Sequence, residues 1–413
     1  VRIAIVGSGI SGLVAAHLLR PRHEICVFEA AERIGGHTHT VDVHYRGERH
    51  AIDTGFIVYN EATYPNFVRL LAKLGVETQP SEMSFGLSCE RSGLEWGSRG
   101  VGGLFAQPRN LLRPAFWRML RDFLRFNREA PRLLESAVEK VALGDYLRGA
   151  QYSDAFIDHY VIPMGAAIWS ADPGRFLEIP ALTFIRFFRN HGMLETNPSL
   201  PWRVIRGGSA RYVEKLVAPF RDRIRLGCAV RSVRRTSRRV EIFSSAGVEV
   251  FDQVIFAAHS DQALALLEAP SALERKLLGS IRYQQNDVVL HTDTSLLPRC
   301  RRAWASWNYR IARGPQDRAL VTYDMTRLQS LPTRERFLVT LNGSDRIDPS
   351  RVLRRFVYYH PVFDADAIAA QKLHAQISGR ARTHYCGAYW GYGFHEDGVK
   401  SALAACAPFG VEL

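Results

Sequence analysis

Gly7, Gly9 and Gly12 stand at the spacing G-x-G-x-x-G, between the apolar run RIAIV and the helical run LVAAHLLR. Strand, tight turn and helix in that order let a backbone cradle a pyrophosphate. Gly7 permits the turn, Gly9 lets the main chain approach the phosphates, and Gly12 lets helix and strand pack closely. With Ile10 and Ser11 they begin a helix whose N-terminus presents free N–H groups and partial positive charge to an anion. A second apolar run, EICVFEA, carries Glu29 and Ala30 at its end. A carboxylate there accepts hydrogen bonds from ribose hydroxyls and repels a 2′-phosphate. The pattern therefore predicts a dinucleotide other than NADP.

Arg33-Ile34-Gly35-Gly36-His37 follows directly. It resembles the RxGG segment of the flavin amine oxidase and phytoene desaturase superfamily. The resemblance implies FAD, with this segment beneath the ribityl and phosphates. That family usually has Arg where His37 stands, so a fixed charge near the isoalloxazine is missing. His37 is open to a neutral hydrogen-bonding role, to catalysis or to covalent flavin attachment. Asp53-Thr54-Gly55 matches an element that sits near the flavin in the family, although Asp53 could equally cap a turn. The segment RGGSARYVEKLV resembles the return into the FAD domain, and the equivalent of Val230 there offers its backbone to the adenine.

The last match is THYCGAYWGYGFHEDGVKSALAAC. It resembles the family's final FAD motif, a glycine- and aromatic-rich loop leading to a helix, expected to begin near Asp397. Gly387, Gly398 and Val399 are its expected contacts. The helix N-terminus would face the flavin pyrimidine carbonyl and stabilise charge on the reduced ring. Gly387-Ala388 departs from the family's Gly-Asp or Gly-Glu, which removes one expected contact. GGHTHT, HYVIPMGAAIWS and TYDMTRLQ narrow the resemblance further. They look like bacterial predicted NAD/FAD-binding proteins that accompany cyclopropane-fatty-acid-synthase-like methyltransferases. By association this implies a fatty acyl or lipid substrate and a methyltransferase partner.

The expected chemistry is hydride transfer from an allylic carbon of an unsaturated acyl chain to flavin N5. An unactivated alkyl C–H is too poor a donor. His395 is the first candidate base because imidazole titrates near neutrality, with His159 and His191 behind it. Tyr389 and Tyr392 are the aromatic residues expected at the reacting ring. No Lys lies between Lys276 and Lys372, where an amine oxidase of this family would carry one. Amine oxidation, and a non-redox lipid carrier for a methyltransferase, are the competing readings.

These residues need an α/β architecture: a Rossmann-like (GR2-type) FAD-binding domain and a discontinuous, mixed α+β substrate domain. Residues 1-80, 205-270 and 375-413 are assigned to the first, and 81-204 with 271-374 to the second. The chain has 413 residues, 46% of them hydrophobic and 23% charged, as expected of a globular protein. Its opening residues read as a buried strand and not as a signal segment. Scattered single cysteines predict a reducing, cytoplasmic setting, and no metal-ligand spacing is present. Net charge is +13, with no nucleic-acid motif, so a basic surface facing solvent or a membrane is expected. The helical stretch 114-128 is the expected contact. Phe116, Trp117, Leu120, Phe123 and Leu124 are read as one face, and Arg118, Arg121, Arg125 and Arg128 as another.

Overall fold

The computed structural model describes residues 1–135, 141–195 and 200–413. Its first strand, Arg2–Val6, is buried from Ile3 onward and lies inside a five-stranded parallel sheet. The order is Ile224–Arg225, Glu24–Phe28, Arg2–Val6, Gln253–Phe256, Thr383–Tyr385. Continuous apolar runs suit such strands, because both faces are covered, one by helices and the other by a small sheet and two short helices. The first helix, Ile10–Leu19, and the terminal helix, His395–Cys406, pack against each other. The terminal helix starts at His395, two residues before its sequence-predicted start.

A second, seven-stranded sheet runs Val352–Pro361, Tyr283–His291, Leu338–Leu341, Val321–Asp324, Trp307–Ile311, Phe85–Cys89, Glu95–Gly97. It is antiparallel apart from the pairing of Trp307–Ile311 with Phe85–Cys89. Its core includes Phe126, Phe156, Phe184 and Phe188 from the helices laid on it. A small antiparallel sheet holds Val230–Arg235, Val240–Ser244 and Gly247–Phe251. Along VEVFDQVIFAA the chain leaves that sheet after Phe251. Gln253–Phe256 breaks away and becomes an inner strand of the parallel sheet, where Val254, Ile255 and Phe256 are buried.

Helix Pro114–Glu129 departs from its expected faces. It buries Phe116, Met119 and Phe126 and leaves Trp117 and Leu124 exposed beside Arg121 and Arg128. Its apolar residues span too wide an arc to share one stripe, and the domain takes the part centred on Met119. Among the described residues, no helix is long and apolar enough to cross a membrane.

The small sheet is tied to the edge strand Thr383–Tyr385 of the parallel sheet through a buried ion pair. Glu274 accepts hydrogen bonds from Arg235 at 2.5 Å, the Tyr385 hydroxyl at 2.7 Å and the Ser271 N–H at 2.7 Å. Burial alone would raise its pKa, but Arg235 and Tyr385 reverse this and hold the carboxyl at about 2. Glu274→Ala strands Arg235 without its partner. Denaturant unfolding is expected to show a loss of about 3–5 kcal/mol; a loss under about 1 kcal/mol would contradict this role.

Candidate functional site

The glycine turn is built for main-chain approach. Gly7 has φ +107°, and a Cβ there would lie 2.6 Å from the Ala257 carbonyl oxygen. A Cβ on Gly12 would sit 2.1 Å from the Gly7 oxygen, and one on Gly36 only 2.9 Å from the Gly9 Cα. Gly9 differs, since a Cβ built on it meets nothing within 4 Å. It precedes the first helix and has no side chain to cap it. The Gly35 N–H donates to the Ser8 carbonyl at 3.0 Å, which lays the RxGG loop along the turn. Arg33 donates to the Thr38 carbonyl.

Glu29 accepts from the Ser8 N–H at 2.9 Å, the Ser8 hydroxyl at 2.6 Å and the Ala31 N–H at 2.9 Å. These bonds aim the carboxylate and leave it further lone pairs. Ala30 is exposed beside it. The Cys228 and Gly227 N–H groups donate to the carbonyls of Glu29 and Ala31, which brings Val230 close to the same strand end. Open space at Gly9, an uncapped helix N-terminus and an aimed carboxylate fit the pyrophosphate and ribose of a dinucleotide.

The terminal motif reaches this cradle from the far end of the chain. A Cβ on Gly398 would lie 2.7 Å from Ile10 and 3.1 Å from the Ser11 hydroxyl, so the two helix N-termini touch. Val399 is fully buried behind the contact. Gly387 donates its N–H to Ser401 at 2.9 Å, and the Tyr389 ring fills the space a Cβ there would need. Gly55 lies against His37, where a Cβ would meet the carbonyl oxygen at 1.9 Å. Residues 35–38, 54–56 and 394–398 thereby form one site.

His395 does not stand free in it as a base. Its Nε2 is shared between the hydroxyls of Thr38 and Tyr212, each at 3.0 Å, and its ring stacks on Phe56 at 3.5 Å. Burial, with His37 adding, pushes its pKa down to about 3. It is a positioning residue that pins the terminal helix to the RxGG loop. Tyr389 is likewise a core residue, packed with Ile281 and Ala367. Tyr392 is half-buried, 5.5 Å from Phe187, and its carbonyl accepts from Trp169. His191 donates its Nδ1–H to the Phe187 carbonyl at 2.9 Å, with its ring stacked on that side chain, and His159 pairs with Cys89 of the seven-stranded sheet. Asp53 is a clamp: it accepts from the Ser209 N–H and hydroxyl at 2.8 Å each and from Thr40.

Facing the cradle is a wall that the motifs did not reveal. Strand Val352–Pro361 presents Phe356, Tyr358 and His360 on one side. The Tyr358 hydroxyl bonds His39 Nδ1 and the Thr54 hydroxyl, each at 2.8 Å. His360 Nδ1 meets the Asn286 amide at 2.9 Å. Asn286 in turn accepts from Asn342 at 2.8 Å. His259 stacks on Tyr283 at 4.3 Å. The His37 ring lies 5.4 Å from Tyr358, 5.5 Å from His360 and 6.1 Å from His259, with its buried Nε2 lacking a protein partner. Period-two alternation along 352–361 could have flagged the set, but not which side faces the cofactor domain.

The wall is uncharged. Burial, then a neighbouring imidazole, lowers His360 to about 3 and His259 to about 4. Burial, with Arg33 contributing, lowers His37 and His39 to about 4. Among the described residues no cluster of His, Cys, Asp or Glu is arranged to hold a metal.

Comparison with known proteins agrees with this geometry. The model of the family described as flavin containing amine oxidoreductase matches residues 10–294. A flavin-containing amine oxidase A of Bos taurus is 27% identical over 259 residues, covering 58% of this chain and 46% of its own. The chain spans about half the length of the curated relatives it matches. A solved cyclohexylamine oxidase from Brevibacterium oxydans IH-35A superposes with a TM-score of 0.70 at 18% identity, covering 99% of both chains. A CLA-producing fatty acid isomerase from P. acnes does so with a TM-score of 0.68 at 16% identity, covering 99% of this chain and 98% of its own.

The buried imidazoles set the acid response. An imidazole with a folded pKa below its unfolded value favours folding while neutral. That advantage is complete above about pH 6.5 and is lost as the pH falls toward the folded value. His395, at about 3, and His291, lowered to about 4 by burial, are both enclosed. Each is expected to cost about 1.4 kcal/mol per pH unit in that window. Asp53 and Asp397, pushed up to about 6 by burial, act in the opposite direction between about pH 6 and 4 but are outnumbered once His37, His39, His259, His360 and His384 are counted with those two imidazoles. The unfolding temperature is expected to fall from pH 7.5 to pH 5.5, and less steeply in His395→Gln. Equal slopes in the two proteins would contradict the assignment.

Proposed function

This chain belongs to the flavin containing amine oxidoreductase family, and from that premise we propose that it is an FAD-dependent oxidoreductase acting on an apolar, unsaturated fatty acyl or lipid substrate. Bound FAD supplies the two-electron acceptor for an activated C–H bond. The residues that would hold it are Gly7, Gly9, Gly12 and the first helix N-terminus for the pyrophosphate, and Glu29 for the ribose. Gly35, Gly36, His37 and the N-terminus of the terminal helix would hold the ring half.

The observation that carries the substrate reading is the uncharged wall. An ammonium substrate is favoured by a carboxylate or by a stripped aromatic cage. Here His37, His39, His259, His360, Tyr358 and Asn286 are neutral at pH 7, and the charge acting on His37 and His39 is the cation of Arg33. A positive neighbour repels an amine and leaves a neutral acyl chain unaffected. Asn286 also supports it. It sits on strand Tyr283–His291, within the lysine-free stretch, and bonds His360. Phe187, Phe394 and Tyr392 crowd together on the apolar side. They favour an apolar occupant and exclude water around it.

The fold does not choose between substrate classes, since a cyclohexylamine oxidase and a fatty acid isomerase both share it. The uncharged side chains of the wall support the lipid reading. Anaerobic mixing of the flavin-loaded protein with monounsaturated acyl lipids, and separately with primary amines, tests it. Loss of the oxidised flavin absorbance is expected with the lipids and not with the amines. Bleaching by amines alone would overturn the substrate class, and lipid binding with no bleaching by either would overturn the redox role.

A further inference from the structure

Ten large apolar side chains are exposed among the described residues, and five of them fall within residues 101–124. They are Val101, Leu111, Leu112, Trp117 and Leu124, with Leu112 at 86% exposure and Val101 at 74%. Three short elements carry them: Gly100–Leu104, Pro108–Leu112 and helix Pro114–Glu129. They form one surface. Trp117 Nε1 donates to the Leu111 carbonyl at 2.9 Å, and the Trp117 ring lies 5.7 Å from Phe105.

The same surface is basic. Residues 99–129 hold seven arginines and two acids, the buried Asp122 and Glu129, which pairs with Arg125 and Arg128, while Arg99 pairs with Glu82. Arg109 and Arg113 give hydrogen bonds to the carbonyls of Gly93 and Ser92, which leaves their charge uncompensated by an acid. On the helix, Trp117, Arg121, Leu124 and Arg128 share the outward face at helical spacing. Apolar and cationic side chains therefore alternate on one exposed side.

We propose that this face docks on an anionic lipid bilayer, with Leu112, Trp117 and Leu124 entering the headgroup boundary and the arginines pairing with lipid phosphates. Charge complementarity selects the occupant: arginine forks match phosphate, and the interleaved leucines and tryptophan match the acyl edge just beneath it. A helix of this length lying flat places Trp117 and Leu124 at one depth, with Leu112 at the end of the short element just before it. A protein partner would ask instead for a contiguous apolar centre with the charges kept to its rim. The opposite side of the helix is anchored to the domain. Phe126 packs on Phe156 and Phe184, Phe184 on Phe188, and Phe187 on Phe394 of the terminal loop. The docked face and the candidate site thus share one aromatic core. The inference stands apart from the substrate reading, because it concerns binding alone.

Sedimentation with vesicles of phosphatidylcholine alone, and of phosphatidylcholine with phosphatidylglycerol, tests it on the full chain. The protein is expected to bind only the anionic vesicles, and less so as salt rises from about 0.1 M to about 0.5 M. The triple variant Leu112→Ser, Trp117→Ser, Leu124→Ser is expected to bind at least about tenfold more weakly. Arg118→Glu, Arg121→Glu, Arg128→Glu is expected to lose the anionic preference. The control Val248→Ser, Val250→Ser, exposed on the small sheet, should bind as the parent does. Unchanged far-ultraviolet circular dichroism and a cooperative unfolding transition will show that each variant is folded. Failure of the parent to bind anionic vesicles, or parent-like binding by both triple variants, overturns the proposal. So does conversion of an oligomer to a monomer by the serine variant, which would make the face a self-contact.

Discussion

Everything in this molecule depends on one steric constraint: three backbone segments meet with no room for a Cβ. Gly36 lies against Gly9, Gly12 against the Gly7 carbonyl, and Gly398 against Ile10. These contacts bring the turn after the first strand, the RxGG loop and the start of the last helix to one place. Two helix N-termini then converge on it, each with main-chain donors and partial positive charge. Residues almost 390 positions apart become neighbours because glycine alone allows it.

Around that point burial holds the titratable groups in one state. His395, His37 and His360 are neutral at physiological pH because enclosure penalises the cation. For His395 this neutrality serves architecture, since its nitrogen joins Thr38 and Tyr212. For His37 and His360 it serves the site, since it leaves a polar but uncharged surface opposite the cradle. Hydrogen bonds among Tyr358, Thr54, His39, Asn286 and Asn342 fix that surface.

The cradle was legible in the sequence because its demands are local. Glycine spacing, a flanking apolar run and a terminal acid each state a backbone requirement at the position where it applies. The facing wall was not legible. Tyr358 and His360 matter only because one side of a long strand turns toward a domain encoded elsewhere, and that is a matter of register. His395 misled for a related reason. Its type suggests proton transfer, while its partners Thr38 and Tyr212 lie far off in sequence. The helix Pro114–Glu129 was legible as amphipathic and basic, but its apolar arc is wide enough to allow two orientations, and packing of Met119 and Phe126 decided between them.

The absorbance spectrum of the purified protein, recorded before and after acid precipitation with the flavin content of each fraction, bears most directly on this account. An oxidised-flavin spectrum with about one FAD per chain is the predicted result. A folded protein that is colourless and takes up no added FAD would contradict it.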